Sequence, residues 1–259
     1  MRSASRVQVS GCGYNRPVRP RFYLPTIDAS GRGELDEDEA RHLTRVLRLG
    51  AGADVDVFDG RGGMFRARVA EVGRIRVVVQ VLEPTAAAPE PALPITLVMS
   101  VLKGDKMDAV VRDAVMLGVT TIQPVVASRT EVSLAALRRA ERLARWQRIA
   151  VAAVKQCGRA LLPAVRPPEG LDAWIDDHAD QPVVALIEPS GGVAAGLRDL
   201  APSALVHLLV GPEGGWSRHE TAAFARAGFR TVSLGGRTLR ADVAPLVAMA
   251  AIYERWDGW

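Results

Sequence analysis

The stretch from Val206 to Ala244 constrains the fold of this 259-residue chain more than any other. It contains two apolar runs, and each run stops at glycine before a segment of helical character begins. The first motif is Val206–Ser217, with the sequence VHLLVGPEGGWS, and the second is Val232–Ala244, with the sequence VSLGGRTLRADVA. Glycine-bearing loops between a buried strand and a helix are where α/β proteins place their ligands. The stretch therefore predicts two strands of a parallel sheet with a binding edge beside them.

A third strand with the same kind of ending precedes these two in the chain. Ala185–Gly192 has the sequence ALIEPSGG, so a buried strand again runs into glycines. The chain contains neither the G-x-G-x-x-G fingerprint of dinucleotide sites nor the G-x-x-x-x-G-K-[ST] fingerprint of phosphate-binding loops. A tight turn is the structural alternative for any single loop. Three such loops at one sheet edge would instead enclose a ligand, with backbone amides close to it.

The second half of the chain favours the same architecture, because strand-like runs alternate with segments of helical period. The predicted strands are Ile95–Leu102, Thr120–Val126, Val183–Ile187, Leu205–Val210 and Phe229–Leu234, and the predicted helices are Lys106–Leu117, Leu134–Cys157, Ser217–Ala227 and Ala241–Trp256. Ser217 and Glu220 have the spacing of a capping box. The pattern predicts a mostly parallel sheet that is covered by helices on both faces.

Residues 21–83 have a different pattern, which predicts a small β-barrel-like module with one helix. The predicted strands are Arg21–Ile27, Asp54–Phe58, Met64–Val72 and Arg74–Leu82. Asp36, with Glu39 three residues later, would cap a helix running to Leu49. That helix would turn Leu43, Val46, Leu47 and Leu49 inward and Arg41, His42, Arg45 and Arg48 outward. Residues 84–94 contain four prolines and no apolar period, so they are predicted to link this module to an α/β domain at 95–259.

Positive charge is concentrated at the start of the chain. Residues 1–27 contain five arginines and no acid, whereas the remaining 28 bases and 29 acids nearly balance. Residues 1–20 are therefore predicted to form a basic arm that suits a polyanion such as nucleic acid. A poorly ordered tail, an upstream start codon and a transit peptide are the alternatives.

The composition argues against several classes of protein. The two cysteines, Cys12 and Cys157, lie far apart, so they form neither a disulfide framework nor a cysteine-rich zinc site, and they fit a reducing cytoplasm. The four histidines are scattered without a metal-binding spacing, so no metal site is predicted. No apolar run reaches the roughly 18 residues of a membrane span, so no membrane association is predicted.

Several of these motifs resemble those of the RsmE family of RNA methyltransferases, which belongs to the SPOUT superfamily. The resemblance is most specific in the two strand–loop motifs, LVGPEGGWS with Glu220 after it and LGGRTLRAD with Ala244 after it. It extends over nearly the whole folded chain through the shorter motifs HLTRVLRL at His42–Leu49, KGDKM at Lys103–Met107, LGV at Leu117–Val119 and KQCGR at Lys155–Arg159. Residues 1–20 have no counterpart.

The resemblance implies a PUA-like β-barrel domain that helps hold RNA, followed by a SPOUT-type α/β domain with a trefoil knot. It also implies an S-adenosylmethionine-dependent homodimer that methylates N3 of a uridine in 16S ribosomal RNA, either free or in the small ribosomal subunit. In such a protein the three loops would wrap the cofactor, mainly with backbone groups. The cofactor-binding residues that it implies are Leu186, Ile187, Glu188, Pro189, Gly211, Pro212, Glu213, Gly214, Gly215, Leu234, Gly235, Leu239 and Arg240.

Individual side chains can be given roles on the same basis. Arg240 is predicted to be catalytic, because a guanidinium suits the charge left on the uracil oxygens during methyl transfer. A salt bridge at a helix start is its structural alternative. The predicted RNA-binding residues of the first domain are Arg21, His42, Arg45 and Arg48.

A run of arginines on the predicted helix Leu134–Cys157 has two interpretations. It could contact phosphates, with Trp146 among the arginines, or it could form a solvated helix face. The residues are Arg138, Arg139, Arg142, Arg145 and Arg148.

Three positions differ from the family motifs. Met116 replaces an acid before LGV, Ala152 replaces an acid before the KQCGR segment, and Asp242-Val243 replaces a Glu-Thr pair. These differences motivate a second hypothesis, in which the chain is a non-catalytic RNA-binding or ribosome-assembly protein that retains the fold.

Overall fold

The computed structural model describes residues 19–74, 76–189 and 195–256. Most of the predicted basic arm and the Ser190–Gly192 end of the third loop therefore lie outside the described residues. The strands are β1 (Arg21–Tyr23), β2 (Arg32–Glu34), β3 (Asp54–Phe58), β4 (Met64–Val72), β5 (Val77–Pro84), β6 (Ile95–Ser100), β7 (Thr121–Val126), β8 (Ala164–Val165), β9 (Glu169–Gly170), β10 (Val183–Leu186), β11 (Ala195–Gly196), β12 (Val206–Val210) and β13 (Arg230–Ser233). The helices are α1 (Glu37–Arg41), α2 (Lys106–Met116), α3 (Leu134–Arg139), α4 (Arg142–Cys157), α5 (Leu171–Asp177), α6 (Arg218–Arg226) and α7 (Ala244–Trp256).

Strands β1–β5 form a five-stranded sheet in the order β1-β3-β4-β5-β2. β1 pairs with β3 in parallel, and the other neighbours pair antiparallel. The pairing of β4 with β5 shifts register at Arg66/Ala67 and at Val69/Glu71, and such irregularities bend a sheet. The sheet curls into a half-barrel around a core that includes Phe22, Leu24, Leu43, Val55, Val57 and Val79. The β module that the sequence predicts is therefore present, as an open half-barrel.

Both helix caps that the sequence predicts are confirmed. The Asp36 carboxylate accepts a hydrogen bond from the Glu39 backbone amide at 2.8 Å at the start of α1. At the start of α6, the Ser217 hydroxyl accepts from the Glu220 amide while the Glu220 carboxylate accepts from the Ser217 amide at 2.7 Å. Each arrangement satisfies backbone donors that the helix itself leaves without partners.

The helix that begins at α1 does not continue to Leu49 as an α-helix, so that prediction is wrong. A π-helical turn follows α1, and in it the Leu47 amide donates to the His42 carbonyl, five residues earlier, at 3.0 Å. The wider turn rotates the residues after it relative to an α-helical register. Leu43 is buried as predicted, but Val46 and Leu47 are exposed instead of pointing inward.

Strands β6–β13 form an eight-stranded sheet in the order β11-β13-β10-β12-β6-β7-β8, in which β9 also pairs with β7. Each pairing between these described strands is parallel. Alternate residues of a strand enter different cores, as Leu208 and Leu209 of β12 do. Residues of α2, α4 and α7 fill the core on one face, and residues of α5 and α6 fill the core on the other. The parallel, doubly covered α/β sheet is confirmed, and the trefoil knot stays a prediction.

The long helix predicted for Leu134–Cys157 is interrupted, so its predicted continuity is wrong. α3 ends at Arg139 and α4 begins at Arg142. Glu141 between them has φ +48°, in the left-handed region that ends α-helical hydrogen bonding. The helix α5 is not predicted from the sequence, because a seven-residue segment is too short to show a clear apolar period.

The KQCGR segment joins the two sheets to each other. The Lys155 ammonium lies 2.8 and 2.9 Å from the two carboxylate oxygens of Glu39 in α1, and the side chains of Lys155 and Glu39 are only 15% and 9% exposed. The Arg21 guanidinium donates to the Lys155 carbonyl at 3.1 Å, beside Gly158. The strands that start the first sheet are thereby fixed against the end of α4.

The same segment also holds the predicted linker, residues 84–94, which runs from the end of β5 to β6. The buried Arg159 guanidinium binds both carboxylate oxygens of Glu90 at 2.6–3.0 Å. It also donates to the carbonyls of Val115 and Val119 at 2.7 and 3.2 Å. The linker is therefore tied to the end of α2.

Among the described residues, no helix has both the length and the apolar character needed to cross a membrane.

Candidate functional site

The sheet order places the three glycine-bearing loops side by side. β10 lies between β12 and β13, and the three strands are parallel, so their carboxyl ends meet at one edge. A cleft of about 340 Å³ opens at this edge, within the usual range for small-molecule sites. Its lining consists of Lys106, Leu186, Ile187, Glu188, Pro189, Val210, Gly211, Pro212, Glu213, Gly215, Trp216, Leu234, Arg237, Thr238, Leu239, Arg240, Ala241, Asp242 and Ala244.

Most of the residues predicted to bind a cofactor line this cleft. Those that do are Leu186, Ile187, Glu188, Pro189, Gly211, Pro212, Glu213, Gly215, Leu234, Leu239 and Arg240. Gly214 and Gly235 do not line it. The Gly214 carbonyl faces the Arg129 guanidinium, which donates to it at 2.8 Å, and Gly235 takes a left-handed φ of +91° with open space around it. These two glycines shape their loops from outside the cleft.

Trp216 joins the loops that follow β10 and β12. Its indole Nε1 donates to the Leu186 carbonyl at 2.8 Å, and its ring packs edge-on against Phe224 with a centroid separation of 5.0 Å. The ring also lies against Gly211, where an added Cβ would stand 2.9 Å from the indole Cε2. Any side chain at position 211 would therefore displace the ring that holds the two loops together.

A second glycine of the same loop is required by its backbone conformation. Gly215 has φ +66°, which other residues adopt only with strain. An added Cβ there would also approach the Glu188 Oε1 atom at 3.0 Å. The carboxylate of Glu188 therefore lies close to the backbone of the loop after β12.

A hydrogen-bond network at the start of α6 holds the loop after β12 in place. The buried Glu220 carboxylate accepts from the backbone amides of Ser128 at 2.8 Å and Ser217 at 2.7 Å. Burial acts to raise the pKa of Glu220, but these hydrogen bonds outweigh it and the pKa is lowered. The carboxylate therefore stays ionised and connects the loop after β7 to the helix that follows the glycines.

Lys106 belongs to the cleft, although the sequence motifs do not assign it to the cofactor site. Its ammonium group lies 2.8 Å from the Glu213 Oε1 atom. Burial acts to raise the pKa of Glu213, and the hydrogen bond from Lys106 outweighs it, so the pKa lies below its ordinary value. The signal that could have identified Lys106 is its place after β6, whose carboxyl end lies at the same edge of the sheet.

Arg240 lies at the exposed mouth of the cleft in a two-pronged pair with Asp242. The Arg240 Nε and Nη2 atoms donate to the two Asp242 oxygens at 3.0 and 2.7 Å. The Arg240 side chain is 71% exposed and the Asp242 side chain 17%. The hydrogen bond from Arg240 lowers the pKa of Asp242. The structural alternative for Arg240, a salt bridge before α7, is thus present in the structure. The guanidinium remains exposed at the cleft mouth, and its other N–H groups are not used by this salt bridge.

The residues predicted to bind RNA differ in how accessible they are. Arg45 and Arg48 are exposed, and Arg48 has a left-handed φ of +54°. Arg21 is half-buried and donates to the Lys155 carbonyl, so its guanidinium is engaged within the protein. His42 packs edge-on against Phe22 at 6.0 Å, and burial, followed by the nearby charge of Lys155, lowers its pKa. His42 is therefore neutral near pH 7 and offers no charge to a phosphate.

The arginine run of α3 and α4 is largely a solvated face, with one structural exception. Arg145 binds the Asp108 carboxylate through Nε at 2.6 Å. Trp146 is buried and its indole donates to the other oxygen of Asp108 at 3.1 Å. The interpretation of Trp146 as an aromatic among RNA-facing arginines is wrong, because its ring belongs to the core between α2 and α4.

Of the three departures from the family motifs, only one lies in the cleft. Met116 is packed against the main core at the end of α2. Ala152 is exposed on α4 and lines a different cleft. Asp242 lines the strand-edge cleft and retains a carboxylate that binds Arg240. The shorter acid therefore still fills the role of a partner for this arginine.

The cleft combines apolar side chains, exposed backbone and charges of both signs. Such a lining suits an amphipathic small molecule better than a free phosphate, since two of its three basic residues, Lys106 and Arg240, each have a carboxylate partner. The described part of the chain contains no group of three or more His, Cys, Asp or Glu residues arranged to hold a metal ion.

Comparison with known proteins agrees with this geometry. A family model described as an RNA methyltransferase domain matches residues 89–253, and one described as an RNA methyltransferase PUA domain matches residues 35–82. The ribosomal RNA small subunit methyltransferase E of Synechocystis is 35% identical over 218 residues, which are 83% of this chain and 70% of the relative. The enzyme of the same name from Bacillus subtilis is 26% identical, covering 88% of this chain and 90% of the relative.

Solved structures show the same fold. The ribosomal RNA small subunit methyltransferase E of Neisseria gonorrhoeae, bound to S-adenosyl methionine, has a TM-score of 0.81 at 36% identity and covers 93% of this chain and 99% of that chain. A protein of Legionella pneumophila, solved with the bound cofactor SAM, has a TM-score of 0.86 at 28% identity with the same coverage. This chain therefore belongs to the RNA methyltransferase family of ribosomal RNA small subunit methyltransferase E.

Proposed function

We propose that this protein is an S-adenosylmethionine-dependent methyltransferase that methylates N3 of a uridine in 16S ribosomal RNA. The observation that carries the proposal is the cleft at the carboxyl ends of β10, β12 and β13, whose walls are the three glycine-bearing loops. Two relatives with the same fold hold S-adenosylmethionine in their solved structures. The residues that the family resemblance implies for this cofactor are largely those that line the cleft.

The lining fits such a cofactor. Leu186, Leu234 and Leu239 supply an apolar surface suited to a purine ring, and Gly211 and Gly215 line the cleft without side chains of their own. The carboxylates of Glu188 and Glu213 offer acceptors for hydroxyl and ammonium groups. When bound, the cofactor supplies a methyl group on a sulfonium sulfur, which a nucleophilic nitrogen can accept.

The chain's own contribution to the reaction would be orientation and charge stabilisation. Removing the N3 proton leaves negative charge on the uracil oxygens, and a guanidinium at the cleft mouth can donate two hydrogen bonds to it. Arg240 would do so while Asp242 holds its side chain in place. Trp216 and Glu220 would keep the loops in the geometry that in-line transfer requires.

We also propose that the protein acts in the cytoplasm as a homodimer, on 16S rRNA or on the small ribosomal subunit. The rRNA substrate is supported by the names of the relatives. The dimer is supported by the family resemblance and by Val243 and Val247, which are exposed beside the cleft. Arg45 and Arg48, in and just after the π-helical turn, are the exposed RNA-contacting candidates, whereas Arg21 would act by supporting α4.

Two measurements test the function. Calorimetric titration of the purified protein with S-adenosylmethionine should show saturable binding, and its absence in well-folded protein would contradict the proposal. Radioactive methyl groups from the cofactor should then enter 16S rRNA or small subunits taken from cells that lack this protein. Methylation at N3 blocks the Watson–Crick edge, so reverse transcription should stop at the modified uridine. Cofactor binding without methyl incorporation would favour the non-catalytic alternative.

A further inference from the structure

We propose that α1 and the β4–β5 turn form a pocket for the phosphates of RNA, built from Arg41, Arg45, Arg74 and Arg76. The proposal rests on the proposed function, since the RNA would be the methylation substrate. It adds two arginines that no sequence motif assigns, and it places them with Arg45 in one concave site. The pocket has a volume of about 290 Å³ and is lined by Glu37, Ala40, Arg41, Thr44, Arg45, Gly73, Arg74, Arg76 and Val77.

The backbone fixes the two halves of this pocket against each other. The Leu35 amide, just before α1, donates to the Val77 carbonyl at the start of β5 at 3.0 Å. The turn from β4 to β5 is closed by the Gly73 amide, which donates to the Arg76 carbonyl at 2.7 Å. The helical segment after β2 and the hairpin turn before β5 therefore meet because β2 and β5 are paired.

Two of the four arginines in the pocket have carboxylate partners, and two do not. Arg41 bonds Glu37 and lies 3.4 Å from Asp38, and Arg76 lies 2.9 Å from Glu34. Within the described part of the chain, Arg45 and Arg74 have no carboxylate within salt-bridge distance. These two arginines come from two different segments of the chain that line the same pocket, so both can contribute to binding an anion there.

Other arginines of the same sheet behave differently. Three arginines outside the pocket have a carboxylate on another strand of the sheet as partner, in the pairs Arg32–Glu71, Arg66–Glu83 and Arg68–Asp54. In the last two pairs the strands are adjacent, and such cross-strand pairs stabilise a sheet. Arg45 and Arg74, which have no such partner among the described residues, both line the pocket where the chain after α1 meets the hairpin turn.

Phosphodiester groups are the ligand that this chemistry fits. Guanidinium groups match phosphate oxygens in a two-pronged geometry, and a phosphate group is small enough for the pocket. The lining residues include no aromatic side chain on which a base could stack, so the contacts would be to the RNA backbone. The pocket would hold the RNA strand without reading its sequence.

The test compares two double variants of the full chain that remove the same charge. Arg45→Ala/Arg74→Ala removes the unpaired arginines of the pocket. Arg66→Ala/Arg68→Ala removes two paired arginines of the same sheet and serves as the control. Fluorescence anisotropy with a 16S rRNA transcript, measured from low to high salt without cofactor, reports affinity and its salt dependence. Thermal unfolding checks that both variants are folded.

We expect the pocket variant to bind the transcript about tenfold more weakly than the control at low salt, with a salt slope shallower by about one to two units. Arg45→Lys/Arg74→Lys should recover most of the affinity. With small subunits as substrate, KM should rise while kcat changes little. An affinity and salt slope equal to those of the control would overturn the proposal. Because the anisotropy needs no turnover, a failure of the pocket can be distinguished from a failure of the proposed methyl transfer.

Discussion

At the scale of single residues, Arg240 is the side chain whose chemistry most directly links the cleft to methyl transfer. Its guanidinium bonds only Asp242 among the described residues and otherwise faces solvent. We expect Arg240→Ala to lower the single-turnover rate about 100-fold, because a preorganised donor to the developing charge is lost. The oligomeric state should be that of the wild type in sedimentation, and the loss of rate should exceed any loss of cofactor affinity measured by calorimetry.

Two further variants make that result specific. Arg240→Lys keeps the charge but not the two-pronged geometry, so it should recover only part of the rate. Arg226→Ala removes an exposed arginine from the far end of α6 and should leave the rate unchanged. Wild-type turnover in Arg240→Ala would show that the arginine serves only as a salt-bridge partner before α7.

Gly211 gives a second prediction at this scale, because its role is to have no side chain. In Gly211→Ala the new Cβ would stand 2.9 Å from Trp216 and push the ring away from the Leu186 carbonyl. We expect the dissociation constant for S-adenosylmethionine to rise about tenfold, while the chain still folds. Gly170→Ala is the matched control, since nothing lies within 4 Å of its new Cβ. Equal calorimetric affinities of the two variants would contradict this role of the ring.

At the scale of elements, the contact between α1 and α4 depends on one buried ion pair. Lys155 neutralises Glu39, which also accepts the Tyr23 backbone amide at 3.1 Å, and the ammonium lies 5.1 Å from the centre of the Phe22 ring. Lys155→Met would leave a buried carboxylate without its counter-charge. We expect the free energy of unfolding in urea to fall by about 3 kcal/mol.

A double variant separates the loss of the pair from the loss of packing. Lys155→Met/Glu39→Gln removes both charges, so it should recover part of the stability that Lys155→Met loses. If the single variant unfolds at the wild-type urea concentration, the pair contributes nothing to holding α1 on α4.

The amino end of β12, remote from the cleft, should make stability depend on pH. His207 has a buried Nδ1 atom without a hydrogen-bond partner in the described structure, and burial, followed by the charges of His178 and Arg166, lowers its pKa. The unfolded chain therefore binds a proton below about pH 6.5 that the folded chain does not bind, and stability falls as the pH drops below that value. We expect the melting temperature to fall by at least about 2 °C between pH 7 and 5.5.

The histidine responsible can be identified by substitution. His207→Phe keeps an aromatic ring beside Trp174, 6.1 Å away in the native structure, and should remove most of the drop. His219→Gln alters an exposed histidine and should preserve it. The same drop in both variants would assign the pH dependence to other groups.

Elements with a clear period or a clear stop are the ones that the sequence predicts well. β3 and β4 have the predicted bounds, since alternation and glycines define them locally. The π-helical turn after α1 and the break at Glu141 have no such local signal. They arise where the chain must fit against another element, and that information lies in residues distant in sequence.

At the scale of the whole molecule, the sequence predicts the glycine loops but not the long-range contacts that surround them. Each glycine loop is visible in the sequence because a buried strand stops there. The contacts of Lys106 with Glu213 and of Arg129 with Gly214 connect positions 85 or more residues apart, and only the order of the strands brings them together. The pocket between α1 and the β4–β5 turn is of the same kind, because its arginines converge only after β2 and β5 pair.

The proposed dimer gives the final prediction, and it concerns the first turn of α7. Val243 and Val247 are 40% and 42% exposed, and the Val247 amide donates to the Val243 carbonyl at 3.2 Å, so both valines lie on one face. Ala244 between them lines the cleft, so a subunit packed on this face would border the cofactor site. We expect Val247→Asp to produce monomers in sedimentation, because a carboxylate would be buried without a partner. Val72→Asp, at a similarly exposed valine of β4, should remain dimeric. A monomeric Val247→Asp that binds S-adenosylmethionine with wild-type affinity would show that one chain is sufficient for the site. Loss of both the dimer and cofactor binding would mean that the partner subunit completes the site.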